Sequence, residues 1–267
     1  MILAVDIGNT YIVLGVVDEQ RRVVQTMQMK TDPNETAFDY AVKMKQILLL
    51  TGIDADCFEG AIVSSEVPWL TVVLLKAVRL VTGYDAVLVG AGVKTGLNIR
   101  LDDPGTITGN LVAAAVAVKE EYPLPAFVFD MGTATTVFAV DRSGSYLGGA
   151  IMPGVGLSMD ALTKGTSLLP SIDFDTPKKT IGTNTVDAMK SGIVYGSAGA
   201  VDGIIDRFRE ALGEPASLIA TGSMGRLVAP HCRHSITIDN RLVMKGLGYI
   251  YYKNLEARQK EQGRKKA

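Results

Sequence analysis

Apolar and polar positions along the chain fall into blocks that occur twice. Residues 2–5 form a short apolar run of strand character, 11–17 continue it, and 22–30 alternate after the polar turn Asp18-Glu19-Gln20-Arg21. The three runs predict a β-meander. Helical spacing follows at 37–50, a strand at 60–63, a helix at 69–82 and a strand at 86–89. Residues 90–109 are irregular and rich in Gly, Asp and Pro. The helix predicted at 111–121 is rich in Ala and Val and apolar on most faces, so it is expected to be buried.

After Pro123 and Pro125 the opening pattern starts again. Strands are expected at 126–129, 135–140 and 146–151, the last two joined by the turn Asp141-Arg142-Ser143-Gly144. A long helical stretch, 184–212, leads to a strand at 217–220 and the Gly-rich turn Thr221-Gly222-Ser223-Met224-Gly225. Residues 235–238 and a helix from about Leu242 close the chain. The two openings align as Asp6-Ile-Gly8-Asn-Thr10 against Asp130-Met-Gly132-Thr-Ala134, about half the chain apart. That interval is far too long for a solenoid repeat. It predicts two related halves, 1–123 and 124–255, each a meander feeding helices, with a basic tail at 256–267 that holds Arg258, Lys260, Arg264, Lys265 and Lys266.

Composition narrows the class. A 47% hydrophobic and 21% charged chain of 267 residues is globular, and a net charge of −1 gives no general affinity for nucleic acid or an anionic membrane. No apolar run reaches the roughly 18 residues a spanning helix needs, and the start Met-Ile-Leu-Ala-Val-Asp, without a basic opening or a long apolar stretch, predicts no signal peptide. A soluble cytoplasmic protein with reduced Cys57 and Cys232 is expected. His231, Cys232 and His234 match no zinc spacing and read as a surface loop.

The chemistry lies in the turns. A strand ending in Asp-x-Gly and folding straight back lets backbone approach a ligand closely at Gly8. Ile7, Gly8, Asn9, Thr10 and Tyr11 then offer amides and hydroxyls to phosphate. Asp6, at the carboxyl end of its strand, suits a hydrated magnesium ion. Gly132 and Thr133 repeat the arrangement, and Gly222 follows another strand. One such turn is a common hairpin entry; two in a repeated meander point to phosphate. Walker A spacing and a dinucleotide-binding Gly-x-Gly-x-x-Gly after the first strand are both absent.

These residues resemble the acetate and sugar kinase, actin and heat-shock chaperone superfamily, and within it the type III pantothenate kinases. Further similar segments occur in order: Val63-Ser-Ser-Glu-Val-Pro68, Thr95-Gly-Leu-Asn-Ile99, Asp103-Pro104, Gly148-Gly-Ala-Ile-Met-Pro-Gly154, Ser167-Leu-Leu-Pro170, Gly182-Thr-Asn-Thr185 and Ala220-Thr-Gly222. The resemblance implies an α/β fold of duplicated ribonuclease H-like halves, each a mixed sheet with flanking helices, around a nucleotide cleft. It implies ATP with Mg2+, a monovalent cation (K+ or NH4+) at Asp130, and a homodimer. The implied reaction is phosphorylation of pantothenate at its primary hydroxyl, the first step of coenzyme A biosynthesis.

The resemblance breaks at one place. Where the family carries Gly-Ala-Asp-Arg, with aspartate as general base and arginine on the substrate carboxylate, this chain has Thr108, Gly109, Asn110 and Leu111. An amide accepts no proton near neutrality, and leucine makes no charge-assisted hydrogen bond. General-base assistance is worth ~10²–10⁴-fold. Thr185, an acceptor contact in the family pattern, is kept, and Leu101 stands near a family tyrosine. Asp102 and Asp103 are candidates for a replacement base or for a turn. Two alternatives stay open beside pantothenate: another small acceptor, or a non-catalytic nucleotide-binding regulator.

Overall fold

The computed structural model describes residues 1–266, the side chains of 262–266 excepted. Contacts divide the chain into two units. The first holds Met1–Leu97, Asp102–Glu120 and the chain from Arg241 onward; the second holds Asn98–Leu101 and Glu121–Asn240.

The first unit is built on a five-stranded sheet of order β3-β2-β1-β4-β5. Strands β1 (Ile2–Ile7), β2 (Tyr11–Val17) and β3 (Val23–Lys30) are antiparallel, while β4 (Ala61–Ser65) and β5 (Val87–Leu88) add in parallel on the far side of β1. A central strand buried on both faces needs apolar residues at nearly every position. Leu3, Val5 and Ile7 point into one core, and Ile2 and Ala4 are as deeply buried on the opposite face.

Helices α1 (Ala37–Leu50) and α2 (Pro68–Thr82) cover the first face through Tyr40, Met44, Leu48, Leu70 and Leu74. A capping box sets the start of α1: Thr36 Oγ1 accepts from the Asp39 amide and the Asp39 carboxylate from the Thr36 amide. Helix α2 opens on Pro68 and ends at Gly83, whose φ of 77° makes it the left-handed cap.

The other face belongs to α3 (Gly109–Glu121) and α7 (Leu242–Lys266). Helix α7 contacts β1, β2 and β4, and its Leu242, Met244, Leu247 and Ile250 are buried. This corrects the expected division, in which a second half ran to residue 255 and a separate tail followed. One helix spans both, and it packs with the first unit because the second face of β1 needs an apolar cover. Of the basic side chains there, Arg264, Lys265 and Lys266 lie outside the described ones. The Ala/Val helix α3 is buried as expected, and α7 of its own unit supplies cover: a Cβ on Gly246 would fall 1.8 Å from the Ala113 carbonyl oxygen.

The second unit carries the sheet β11-β10-β7-β8-β9-β6. Its meander is β7 (Ala126–Met131), β8 (Ala134–Val140) and β9 (Ser145–Pro153), with β10 (Ser217–Thr221) and β11 (Thr237–Ile238) added in parallel beyond β7. This is the order of the first sheet, extended at one edge by β6 (Asn98–Ile99). The repeat extends to an irregularity near the end of each second strand, at Val16/Val17 and Ala139/Val140. Helices α4 (Val155–Gly165) and α5 (Thr185–Leu212) cover one face, with Met159, Met189, Ile193 and Ile205 against Phe127 and Phe129.

Helix α4 was not foreseen. Its N-cap is Gly154, which makes no side-chain cap bond, so no local start signal marks it. By contrast α5 announces itself: Asn184 caps the Asp187 amide at 2.9 Å, and Gly213 ends it with φ 73°. Among the described residues no helix is long and apolar enough to cross a membrane.

Replacing Gly246 with Ala forces α7 away from α3. The expected loss is about 1–3 kcal/mol of unfolding free energy, typical of overpacking, read by denaturant titration. Unaltered stability would mean that the two helices do not meet there.

Candidate functional site

In the first unit β1 ends at Ile7 and the chain returns at Tyr11. The Gly8 amide donates to the Tyr11 carbonyl at 3.1 Å, and a Cβ on Gly8 would stand 3.0 Å from that oxygen. Glycine is needed here for close approach. Thr31, just past β3, braces the turn from below: its amide donates to the Thr10 carbonyl at 3.0 Å and its hydroxyl to the Gly8 carbonyl at 2.8 Å. Asn9, Thr10 and Tyr11 are exposed. The Ile7 side chain is fully buried in the core, so Ile7 presents only backbone.

Parallel pairing of β1 with β4 sets Asp6 opposite Ser64 and Ile7 opposite Ser65. The fully buried Ser64 donates its hydroxyl to Asp6 Oδ1 at 2.6 Å. One step on, the Glu66 amide donates to the Ile7 carbonyl at 2.9 Å, which turns the Glu66 side chain toward the start of α3. There Asn110 Nδ2 donates to Glu66 Oε1 at 2.6 Å, and Asn9 Nδ2 stands 3.5 Å from Glu66 Oε2. The Thr108 hydroxyl donates to Asn110 Oδ1 at 2.5 Å, which fixes the Asn110 amide with its nitrogen toward Glu66. Gly109 lies against Ser64, where a Cβ would be 3.2 Å from the serine Cβ.

The fold therefore gathers Asp6, Asn9, Thr108, Gly109 and Asn110 with Ser64 and Glu66, which the sequence showed only inside the segment Val63-Ser-Ser-Glu-Val-Pro68, without a role of their own. The missed signal was positional: the carboxyl end of a strand parallel to β1 delivers its side chains beside Asp6. Burial holds the Glu66 carboxyl above the usual carboxylate range, opposed by the hydrogen bonds from Asn110 and Asn9. Leu111 is half-buried. Asp103 is occupied in a turn, its Oδ1 accepting from the Gly105 amide at 2.9 Å, and Asp102 is exposed beside it.

The second unit has its own turn. Asp130 ends β7 at the position Asp6 holds in β1, paired in parallel with Thr221. The loop is one residue shorter than the first: Met131 pairs with Thr135, whereas Ile7 pairs with Ile12. Gly222 crosses this turn with φ 86°, and a Cβ there would lie 2.6 Å from the Met131 backbone. Gly154, at the start of α4, closes the other side, a Cβ falling 2.3 Å from the Thr133 carbonyl oxygen. Gly132, Thr133 and Gly222 thus lie close together, in a turn of tightly packed backbone. Thr185 lies elsewhere in this unit, at the first turn of α5, lining an open depression of ≈ 570 Å³ with Leu162, Leu169 and Gly182.

The loop around Cys232 serves packing. Its thiol faces the Ala198 carbonyl and burial pushes it up to about 12, while His234 Nε2 pairs with Asp206 at 2.8 Å. Among the described residues no group of three or more His, Cys, Asp or Glu side chains could cage a metal ion.

The sequence profile of type III pantothenate kinase matches residues 2–207. The type III pantothenate kinase of Moorella thermoacetica is 38% identical over 254 residues, covering 95% of this chain and 100% of that protein. That of Myxococcus xanthus is 39% identical over 254 residues, covering 95% and 99%. This chain belongs to the type III pantothenate kinase family. It is therefore a phosphotransferase by descent, on the duplicated fold that the two sheets display. Solved structures of the same fold include component A of (R)-2-hydroxyglutaryl-CoA dehydratase from Acidaminococcus fermentans, with TM-score 0.56, 14% identity and coverage of 94% and 96%. A 2-dehydro-3-deoxygalactonokinase-like protein from Sinorhizobium meliloti gives TM-score 0.57, 13% identity and coverage of 94% and 96%.

The Glu66 environment makes a pH-dependent stability difference. A carboxyl whose folded pKa lies above its unfolded value favours folding while protonated and loses that contribution as pH rises through the folded pKa. Glu66→Gln has no proton to lose. The melting temperature of the variant minus that of the wild type is therefore flat below about pH 4.5 and climbs above it. A difference that stays level to about pH 7 would mean Glu66 ionises as readily in the fold as in the unfolded chain.

Proposed function

We infer that this chain transfers the γ-phosphoryl group of ATP to the primary hydroxyl of pantothenate. The carrying observation is similarity to proteins named type III pantothenate kinase over 95% of this chain and 99–100% of their length. The site geometry supports it. Amides and hydroxyls of Asn9, Thr10 and Tyr11, approached closely at Gly8, offer a donor-rich turn for a phosphoryl group, and Gly132, Thr133 and Gly222 are proposed as a second turn for nucleotide. Thr185 is proposed as an acceptor contact, with Thr108 to Leu111 lining the acceptor side of the first turn.

Phosphoryl transfer leans on positioning and charge neutralisation rather than covalent chemistry, which fits a site made of turns and few charges. Asp6 suits magnesium of a particular kind. The Ser64 hydroxyl sits on Asp6 Oδ1, and among the described residues no cluster of three His, Cys, Asp or Glu side chains could cage a metal, so the ion would keep waters and phosphate oxygens, as magnesium does. When bound, it would neutralise charge on the transferring group. Asp130, a carboxylate at the end of β7, is the proposed contact for K+ or NH4+. A homodimer and a cytoplasmic location complete the proposal on family grounds.

One observation favours a second reading. Asn110 and Leu111 offer neither a proton acceptor nor a positive charge to a carboxylate substrate. Losing that anchor weakens binding by about 1.5–3 kcal/mol, which suits a different small acceptor, or a protein that binds nucleotide without turnover.

A coupled ADP-release assay with ATP, magnesium, potassium and pantothenate separates these. Pantothenate-dependent release is expected in the wild type. Saturable ATP binding without release would move the assignment to the second reading. Asp6→Asn is expected to lower kcat at least ~100-fold, as loss of a charge-stabilising group does, and wild-type turnover in that variant would remove Asp6 from the site.

A further inference from the structure

We propose that Glu66 receives the proton of the acceptor hydroxyl, the task that an amide at position 110 cannot perform. The proposal rests on the kinase reading above and deepens it at one residue.

Three features of the first unit support it. The first is supply. A hydroxyl attacking phosphorus must give up its proton, and a side chain that accepts one near neutrality is a carboxylate or an imidazole. Asn110 is neither. Asp6 is the proposed magnesium contact, and Asp102 and Asp103 are exposed at a turn in which Asp103 accepts from the Gly105 amide. Glu66 is the carboxylate that the fold delivers between the phosphate turn and the start of α3.

The second is orientation. The relay from Thr108 Oγ1 to Asn110 Oδ1, and from Asn110 Nδ2 to Glu66 Oε1, holds the carboxylate by one oxygen only. The other oxygen, Oε2, lies 3.5 Å from Asn9 Nδ2, at the outer limit of a hydrogen bond, and faces the turn that offers donors to phosphate. A base needs this arrangement: one oxygen anchored, the other loosely held and turned toward the reacting group. The amide and the carboxylate have complementary roles, for Asn110 donates where an ionised aspartate would repel.

The third is environment. Around Glu66 stand Asn9 from the turn, Asn110 and Thr108 from the start of α3, and Ser64 from β4, with Asp6 behind the Ser64 hydroxyl. Half-burial among these groups raises its proton affinity, the direction a general base needs. In the step itself the acceptor oxygen bonds to the γ-phosphorus, and the bond from that phosphorus to the β–γ bridging oxygen breaks. ADP departs with the bonding pair. The hydroxyl proton passes to Glu66 Oε2 and then to solvent.

The test compares wild type, Glu66→Gln, Asn110→Asp and the double exchange E66Q/N110D by pantothenate-dependent kcat and kcat/KM across pH. ATP binding and thermal melting serve as controls for folding. Glu66→Gln is expected to lower kcat ~10²–10⁴-fold and to erase the acidic limb of the kcat/KM profile. Asn110→Asp alone should give no gain and should move that limb to higher pH, because two carboxylates in hydrogen-bond contact share a proton. The double exchange, which swaps amide and carboxylate, should regain at least ~10-fold over E66Q. A folded E66Q enzyme with wild-type kcat and pH profile overturns the proposal and leaves the kinase assignment standing. So does a loss of kcat that keeps the acidic limb and is not rescued by the swap, which is a structural role. A wild type inert toward pantothenate overturns both. Should E66Q not fold, Glu66→Asp carries the same test: a lowered kcat with the limb retained supports the role, and loss of the limb overturns it.

Discussion

The parallel ladder between β1 and β4 is the constraint on which the first site depends. Its register sets Asp6 against Ser64, and the next backbone bond, from Glu66 to Ile7, places a second carboxylate one step beyond the sheet. Side chains alternate faces along a strand, so a slip of one residue would send Asp6 into the α1–α2 core and Ile7 into the site. What forbids the slip is burial. Leu3, Val5 and Ile7 are buried in one core and Ile2 and Ala4 on the other face, so a one-residue slip would drive the Asp6 charge into an apolar core.

The second unit shows the same construction used differently. Its central strand again ends in an aspartate paired in parallel with the neighbouring strand, yet its turn is one residue shorter and is crossed by Gly222 and flanked by Gly154. The first turn is ringed by side chains that carry charge or hydrogen-bonding amides; the second is ringed by backbone. Duplication supplied the same scaffold twice, and the loops after it give the two copies different turns.

The carboxylate–amide pair at Glu66 and Asn110 illustrates how a site can keep a chemical group while moving it. An amide in place of a carboxylate normally removes a proton acceptor. Here the amide orients another carboxylate, because Thr108 fixes which end of Asn110 meets Glu66. Hydrogen-bond polarity makes the two residues a unit, and neither can be understood from its own position in the chain.

Much was legible from the residues themselves. Period-two and period-3.6 patterns located both meanders and the principal helices, since burial on one face of a strand or helix is written directly into residue order. The Asp-x-Gly turns were legible for the same local reason: strand, glycine and small polar residues are neighbours in the chain. Helix α4 was not, because Gly154 gives no cap signal and its place is set by the Thr133 carbonyl it packs against. The home of α7 was not, because a helix does not record which apolar face it will cover. Ser64 and Glu66 were not, because their meaning comes from the strand beside them, some sixty residues away in the chain. Composition and periodicity determined the elements and the two Asp-x-Gly turns. Only the pairing of β1 with β4 and the approach of α3 decided which carboxylate stands beside Asn110 and the first turn.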